Sequence, residues 1–382
     1  MVARSTPFLV MAGLFLFVQQ GGAQDVPDGM RVHFINVGQG AATLVELPKG
    51  SILVDTGGED NTSFDSREYL NDYLDAFFDR RVDLKGRLDL LVLTHPHPDH
   101  YLGMQPAKWW QTGLRPVLAT YRPRNIVYNG GPPVHKWVKA HLETSDARAQ
   151  IVSLDQIQSD QGLTNDVIDP FPSDGSQDPR VRILWGRVAS QAGWCPADYE
   201  DQNNHSVVVR VDYGGASILV TGDLEVSDSY KCDPTDRAGI ERILQRYANV
   251  DPNPLDVDVY QIGHHGSHNG TSPGLMRAMT PKIAVISAGP AYDRGSYTAF
   301  DHSHPREKTV KALEDAAAGG VSLCREPKDV KTFDFHQQEP PRSREIVRAV
   351  FSTGWDGTVV LLGKAGGFWS LVQPAGSLGG CS

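Results

Sequence analysis

The stretch LDLLVLTHPHPDHYLG (88–103) constrains this chain more than any other. Leu88 to Leu93 is apolar except for Asp89 near its start, the pattern of a strand buried on both faces. Where it ends, His95, His97, Asp99 and His100 follow within six residues. Imidazole nitrogen and carboxylate oxygen suit a borderline divalent metal such as zinc. On a loop leaving a strand, alternate residues face the same side, so His95 and His97 can share one ion. Asp99 and His100 come after the chain turns and can face a second. Surface histidines scattered in a polar loop would not cluster this tightly.

Around this run, strand and helix patterns alternate. Residues 31–38, 41–47 and 51–57 read as strands joined by tight turns, and 64–81 as an amphipathic helix. From 104 to 200 the signal weakens, with a helix at 133–144 and strands near 125–128 and 181–188. SVVVRVDY (206–213) and ASILVTG (216–222) predict a hairpin about Gly214-Gly215. Helices are expected at 237–248, 273–279 and 306–317, strands at 256–263 and 282–289, and a closing hairpin at 358–363 and 368–372. Two sets of mixed strands, each followed by helices, predict an α/β architecture with sheets face to face and helices outside.

Four further segments carry chemistry at strand ends. Asp223 closes the strand in LVTGD, where its two oxygens can bridge two metals. His264 and His265 follow another strand; one completes the second metal site and the other positions substrate or supports a ligand. His205, in DQNNHSVVV, is a candidate for the first ion. His302 and His304, in DHSHP, are candidates for proton donation to a leaving group. Nine of the 13 histidines fall in these strand-end segments. Two divalent ions would hold a hydroxide at neutral pH and polarise a scissile carbonyl or phosphoryl oxygen. This implies hydrolysis without an organic cofactor, and leaves phosphodiester, lactone and lactam open.

The N-terminus is read separately. Arg4, the apolar run Phe8 to Val18, and the small residues Gly21 and Ala23 read as a signal peptide cleaved after Ala23. The rest, 24–382, is expected to be one exported domain, periplasmic or extracellular, with no stable membrane insertion. In an oxidising compartment, Cys195, Cys232, Cys324 and Cys381 permit two disulfides in any of three pairings; four unpaired buried thiols are the alternative. The net charge of −10 argues against a general nucleic-acid coat protein but not against a nuclease, because a metal supplies local positive charge.

The string HPHPDH, followed by TGD and a strand-end histidine, resembles the metallo-β-lactamase superfamily. VHFINVGQGAATLVELPKGSILVDTGG, NNHSVVVRVDYGGASILVTGDLE and QIGHHGSHNGTSPGLMRAMTPKIAVISAG narrow the resemblance to the C-terminal hydrolase domain of the competence protein ComEC. It runs from about residue 31 to 320, with 104–200 a variable connecting region inside the domain. The resemblance implies an αββα four-layer sandwich with two divalent ions, zinc first and manganese second. His95, His97, Asp99, His100, Asp223 and His264 or His265 fall on its metal positions, and Asp55 on its supporting aspartate. His302 and His304 fall near its Gly-His-Pro-His-Pro segment. Ala41, Ser303 and Asn203-Asn204-His205 depart from the pattern. The expected activity is phosphodiester hydrolysis of a small molecule or nucleic acid, with Asp99 orienting the hydroxide and a strand-end histidine steadying the leaving oxygen. A lactamase or lactonase is the alternative, and a non-catalytic metal-binding module the third reading.

Overall fold

The strand Leu90–Leu93 is buried on both faces because it separates two different cores. Leu90 and Val92 face the interior between two sheets, while Leu91 and Leu93 face a layer of helices. The same alternation runs through Gly50–Val54, where Ile52 and Val54 face inward and Leu53 outward. The computed structural model describes residues 26–381 apart from 62–63, 107–114, 173–177, 228–231, 234 and 335–338. The signal-peptide reading of 1–23 lies outside these residues.

The larger sheet has eight strands. In spatial order they are Phe368–Gln373, Val359–Lys364, Met30–Phe34, Thr43–Leu47, Gly50–Val54, Leu90–Leu93, Asn125–Tyr128 and Arg148–Ile151. The last four run parallel to one another. The second sheet has six strands, ordered Val350–Ser352, Ile283–Ile286, Val259–Gln261, Ala216–Val220, Val208–Tyr213 and Arg180–Trp185. Its first four are parallel as well. The facing interior packs Val32, Phe34, Val45 and Val92 with Val181, Ile183, Val209 and Val211. Outside the larger sheet, Leu70, Leu74 and Phe77 of helix Ser66–Arg80 cover Leu44, Leu53 and Leu91. Helices Gly239–Tyr247, Pro273–Met279 and Glu307–Glu314 bury Ile240, Ile243, Leu275, Met276, Val310 and Leu313 in the core containing the second sheet. The four layers expected from the sequence are therefore present.

The connecting region 104–200 is woven into both sheets, giving two strands to the larger and one to the smaller. The sequence reading missed the edge strands Arg148–Ile151 and Val350–Ser352, and also a third, three-stranded sheet of Leu323–Thr332, Arg342–Arg348 and Gly379–Gly380. Its long strands are mostly exposed and rich in charge, so no apolar alternation marks them. Cys195 is bonded to Cys232 and Cys324 to Cys381, which selects one of the three pairings. The second bridge ties the tail to this sheet. Sequence separations of 37 and 57 residues predict roughly 4 kcal/mol of chain-entropy stabilisation from each bridge. Reduction should therefore lower the melting temperature well below that of the oxidised chain, which calorimetry with and without reductant would measure.

Beneath helix Ser66–Arg80 the wholly buried Glu46 carries the main charge cluster of the core. It accepts from Arg80 at 2.8 and 2.9 Å, from Arg81 at 2.9 Å, from Arg31 at 3.1 Å, and lies 3.2 Å from His33 Nε2. Burial alone would raise its pKa, but the hydrogen bonds from His33 and Arg80 and their charges hold the carboxyl well below the usual range. Removing the charge would strand Arg81, itself fully buried. Glu46→Gln is expected to cost roughly 3–5 kcal/mol at neutral pH. Because the folded carboxyl is depressed from 4.5, that stabilisation is complete above this value and fades as pH falls below it. Denaturant melts of both proteins should therefore converge in acid.

Candidate metal centre

Parallel strands end on the same side, and the loops leaving them carry the functional side chains. From the larger sheet come Asp55, after Gly50–Val54, and the run His95 to His100, after Leu90–Leu93. From the second sheet come Asp223, after Ala216–Val220, and His265, after Val259–Gln261. Gly222 has φ of 55°, and a Cβ there would stand 2.8 Å from both Thr94 Cβ and Ser206 Oγ. Only glycine lets this turn seat Asp223 against the opposite sheet.

One donor atom from each of Asp99, His100, Asp223 and His265 lies within 4.8 Å of the others. Asp223 stands in the middle. Its Oδ1 is 3.2 Å from His100 Nε2, and its Oδ2 is 3.4 Å from His265 Nε2 and 3.9 Å from His95 Nε2. His265 Nε2 is also 3.1 Å from Asp99 Oδ2 and 3.1 Å from His100 Nε2. His95, whose ring lies 4.1 Å from that of His100, faces His97 Nδ1 through Nε2 at 3.1 Å. Ring nitrogens at this distance need a proton or a cation between them, so the donor set fits divalent ions. His95, His100, His265 and Asp223 are buried, while His97 and Asp99 are partly exposed and form the open side.

Buried carboxylates demand positive charge. Burial opposes the charged form of His100, but Asp223 and Asp55 hold its pKa well above the ordinary value. His265 is likewise raised against its burial, to about 10, by Asp223 and Asp99. Asp223 is held well below the carboxylate range by His100 and His265, again against burial. Divalent ions would meet the same demand. Behind the donors, Asp55 accepts from the Thr94 backbone N–H at 2.8 Å and from its hydroxyl at 2.8 Å, and binds His100 Nδ1 at 2.7 Å. This is the supporting place the sequence resemblance implied for Asp55. His265 Nδ1 donates to the Ser287 carbonyl at 2.7 Å, which turns Nε2 inward.

Three expectations are refined or corrected. His205 is not available as a ligand: Nδ1 accepts from Val188 N–H at 3.0 Å and Nε2 donates to the Tyr199 carbonyl at 2.7 Å. Both ring nitrogens are spent on backbone. Of the strand-end pair, His265 enters the donor cluster. His264 is turned away, with Nδ1 2.7 Å from Glu225 Oε1 and 3.1 Å from Asn269 Oδ1, so it is not placed as a ligand. Of the DHSHP pair, His304 is buried beside His264 and His265, at ring distances of 5.5 and 6.2 Å, while His302 is exposed. The sequence reading passed over Glu225, two residues after Asp223 in TGDLE, which joins His264 to Asn203 (2.7 Å). It also passed over Gln39 and Glu59, which lie in glycine turns beside the centre. Because His205 holds two loops together, His205→Ala should destabilise the fold by about 1–3 kcal/mol. Its metal content should stay that of the parent chain, as measured by elemental analysis after gel filtration.

Known proteins are similar to this chain in sequence. The family model described as the metallo-beta-lactamase superfamily matches residues 35–289. ComE operon protein 3 of Bacillus subtilis (strain 168) is 27% identical over 296 residues, covering 74% of this chain and 30% of that protein. Competence protein ComA of Neisseria gonorrhoeae is 30% identical over 146 residues, covering 37% of this chain and 19% of that protein. The chain thus spans under a third of the length of these relatives. Among solved structures, human tRNase Z, short form, superposes with a TM-score of 0.36 at 15% identity, over 67% of this chain and 91% of that one. The family match covers well over half of the 382 residues, and the chain belongs to the metallo-beta-lactamase superfamily, as a hydrolase similar in sequence to competence proteins.

Proposed function

We propose that this chain is an exported phosphodiesterase of nuclease type that works with two divalent ions. The observation that carries the reading is the position of Asp223. Its oxygens lie 3.2–3.9 Å from ring nitrogens of His95, His100 and His265, with His97 beside His95 and Asp99 beside His265. A carboxylate so placed would serve two divalent ions, the chemistry a phosphodiester displacement calls for. His95, His97 and Asp223 would hold the first ion, and Asp99, His100, His265 and Asp223 the second. Zinc fits the nitrogen donors; the carboxylates and the absence of His205 from the first side also admit manganese. Bound there, the ions would supply Lewis acidity and lower the pKa of water.

The chain's own groups would do the rest. Asp99, partly exposed at the open side, would accept a proton from the attacking water and orient it. His304 would offer a hydrogen bond to the leaving oxygen. Among the relatives, the names of the competence proteins and of recombination protein 2 of Haemophilus influenzae, 33% identical over 121 residues, favour a nucleic-acid phosphodiester. Export is supported by the leader-like N-terminus and by the pairing of all four cysteines. Among the described residues, no helix is long and apolar enough to cross a membrane.

The test is to purify residues 24–382, count metals, and assay a generic phosphodiester, single- and double-stranded DNA, a chromogenic lactam and a lactone side by side. Two ions per chain and turnover confined to phosphodiesters are expected. Lactam turnover without phosphodiester turnover would overturn the reading, and fewer than two ions would point to a non-catalytic module. Asp223→Asn should lose at least one ion. Asp55→Ala should weaken metal binding by roughly 10–100-fold through loss of its hold on His100.

A further inference from the structure

The VGQG turn (37–40) carries none of the expected ligands, yet it is built into the centre. A Cβ on Gly40 would lie 2.7 Å from the Asp99 carbonyl oxygen, and Ala41 N–H donates to that oxygen at 3.0 Å. The turn is held from behind by Glu59, only 1% exposed, which accepts from the Gln39 backbone N–H at 2.5 Å and from Asn61 Nδ2 at 2.7 Å. On the other flank, a Cβ on Gly289 would stand 2.9 Å from Gln39 N. Gln39 is thus locked at its backbone, and its side chain is 2% exposed. That side chain reaches one partner: Nε2 lies 3.2 Å from Nδ1 of His304. Its Oε1 is buried without a hydrogen bond.

We infer that Gln39 is a positioning residue that fixes the tautomer of His304. An amide N–H can donate to Nδ1 only if that nitrogen carries a lone pair, so the ring's own proton sits on Nε2. Among the described residues, Nε2 of His304 makes no hydrogen bond, whereas Nδ1 is committed. The backbone at this position is held by the His304 main-chain N–H, which donates to the Ala299 carbonyl at 2.8 Å. Its neighbours are His264, His265 and His302, at ring distances of 5.5, 6.2 and 5.9 Å. His304 is therefore held as a neutral imidazole with a free Nε2–H beside the donor cluster. As the oxygen of the attacking water bonds to phosphorus, the P–O bond to the leaving group breaks and its electron pair passes to the leaving oxygen. Nε2–H then donates a stronger hydrogen bond to that oxygen, and the proton stays on the ring. This role rests on the phosphodiesterase reading; the tautomer does not.

The test uses Gln39→Met, which keeps the size of the side chain and removes the donor. Protein labelled with 15N-histidine and loaded with diamagnetic zinc should show His304 as the Nε2–H form in the parent and as a mixture in the variant. Kinetically, the variant should lose roughly 10-fold or more on a dinucleotide with an alkoxide leaving group. It should lose much less on a nucleoside p-nitrophenyl phosphate, whose leaving oxygen needs little help, with the metal count unchanged. A purely structural role would slow both substrates alike. An Nδ1–H resonance in the parent, or equal losses on the two substrates, overturns the inference. If the parent cleaves no phosphodiester, the functional reading fails while the spectrum still judges Gln39. Gln39→Glu gives a second route: a carboxylate accepts from Nδ1, so the resonance should move to the Nδ1–H form.

Discussion

The centre exists because two sheets pack face to face with their parallel strands ending on the same side. His100 hangs from one sheet, Asp223 and His265 from the other, and they meet at 3.1–3.2 Å across the gap. The gap is set by the interior packing of valine, isoleucine and phenylalanine, because close-packed cores yield little to strain. A cavity opened at Val92 or Val220 would be felt as a shift between donors that no single loop could correct. The metal donors are therefore a property of the sandwich as a whole.

Within that frame the site is organised by excess negative charge. Asp55, Asp99 and Asp223 converge on imidazoles that are pushed toward the protonated form. The Glu46 cluster shows the contrasting solution, since there the compensating charge comes from arginines of the chain. Both arrangements bury a carboxylate, but only the strand-end one leaves an open side, through His97 and the partly exposed Asp99. Internal arginines close the account at Glu46; mobile cations are free to close it at the strand ends.

Much of this was legible in the sequence. The ligand-like run His95 to His100, Asp223 and the His264-His265 pair stand where apolar strands stop, and periodicity finds strand ends well. It could not tell which way a side chain turns once the strand has ended. His205 occupies a strand-end position as His265 does, yet its ring is captured by Val188 and Tyr199, from a region with little periodic signal. His264 and His265 are adjacent, and only the left-handed backbone at both (φ of 47° and 50°) separates their directions. The ribbon Leu323–Thr332 with Arg342–Arg348 escaped because exposed strands need no apolar face. Gln39 escaped because an amide in a glycine turn carries no charge and no metal affinity.

The larger sheet places Met30–Phe34 between Thr43–Leu47 and Val359–Lys364, with Met30 opposite Gly363. The earliest described strand is completed only by one of the last. During synthesis, more than three hundred residues must emerge before this strand finds its second neighbour. Pairing at such sequence distance is slow to form. A chain assembled this way stays unfinished while it is being made, and its first strand keeps one edge unpaired until Val359–Lys364 arrives.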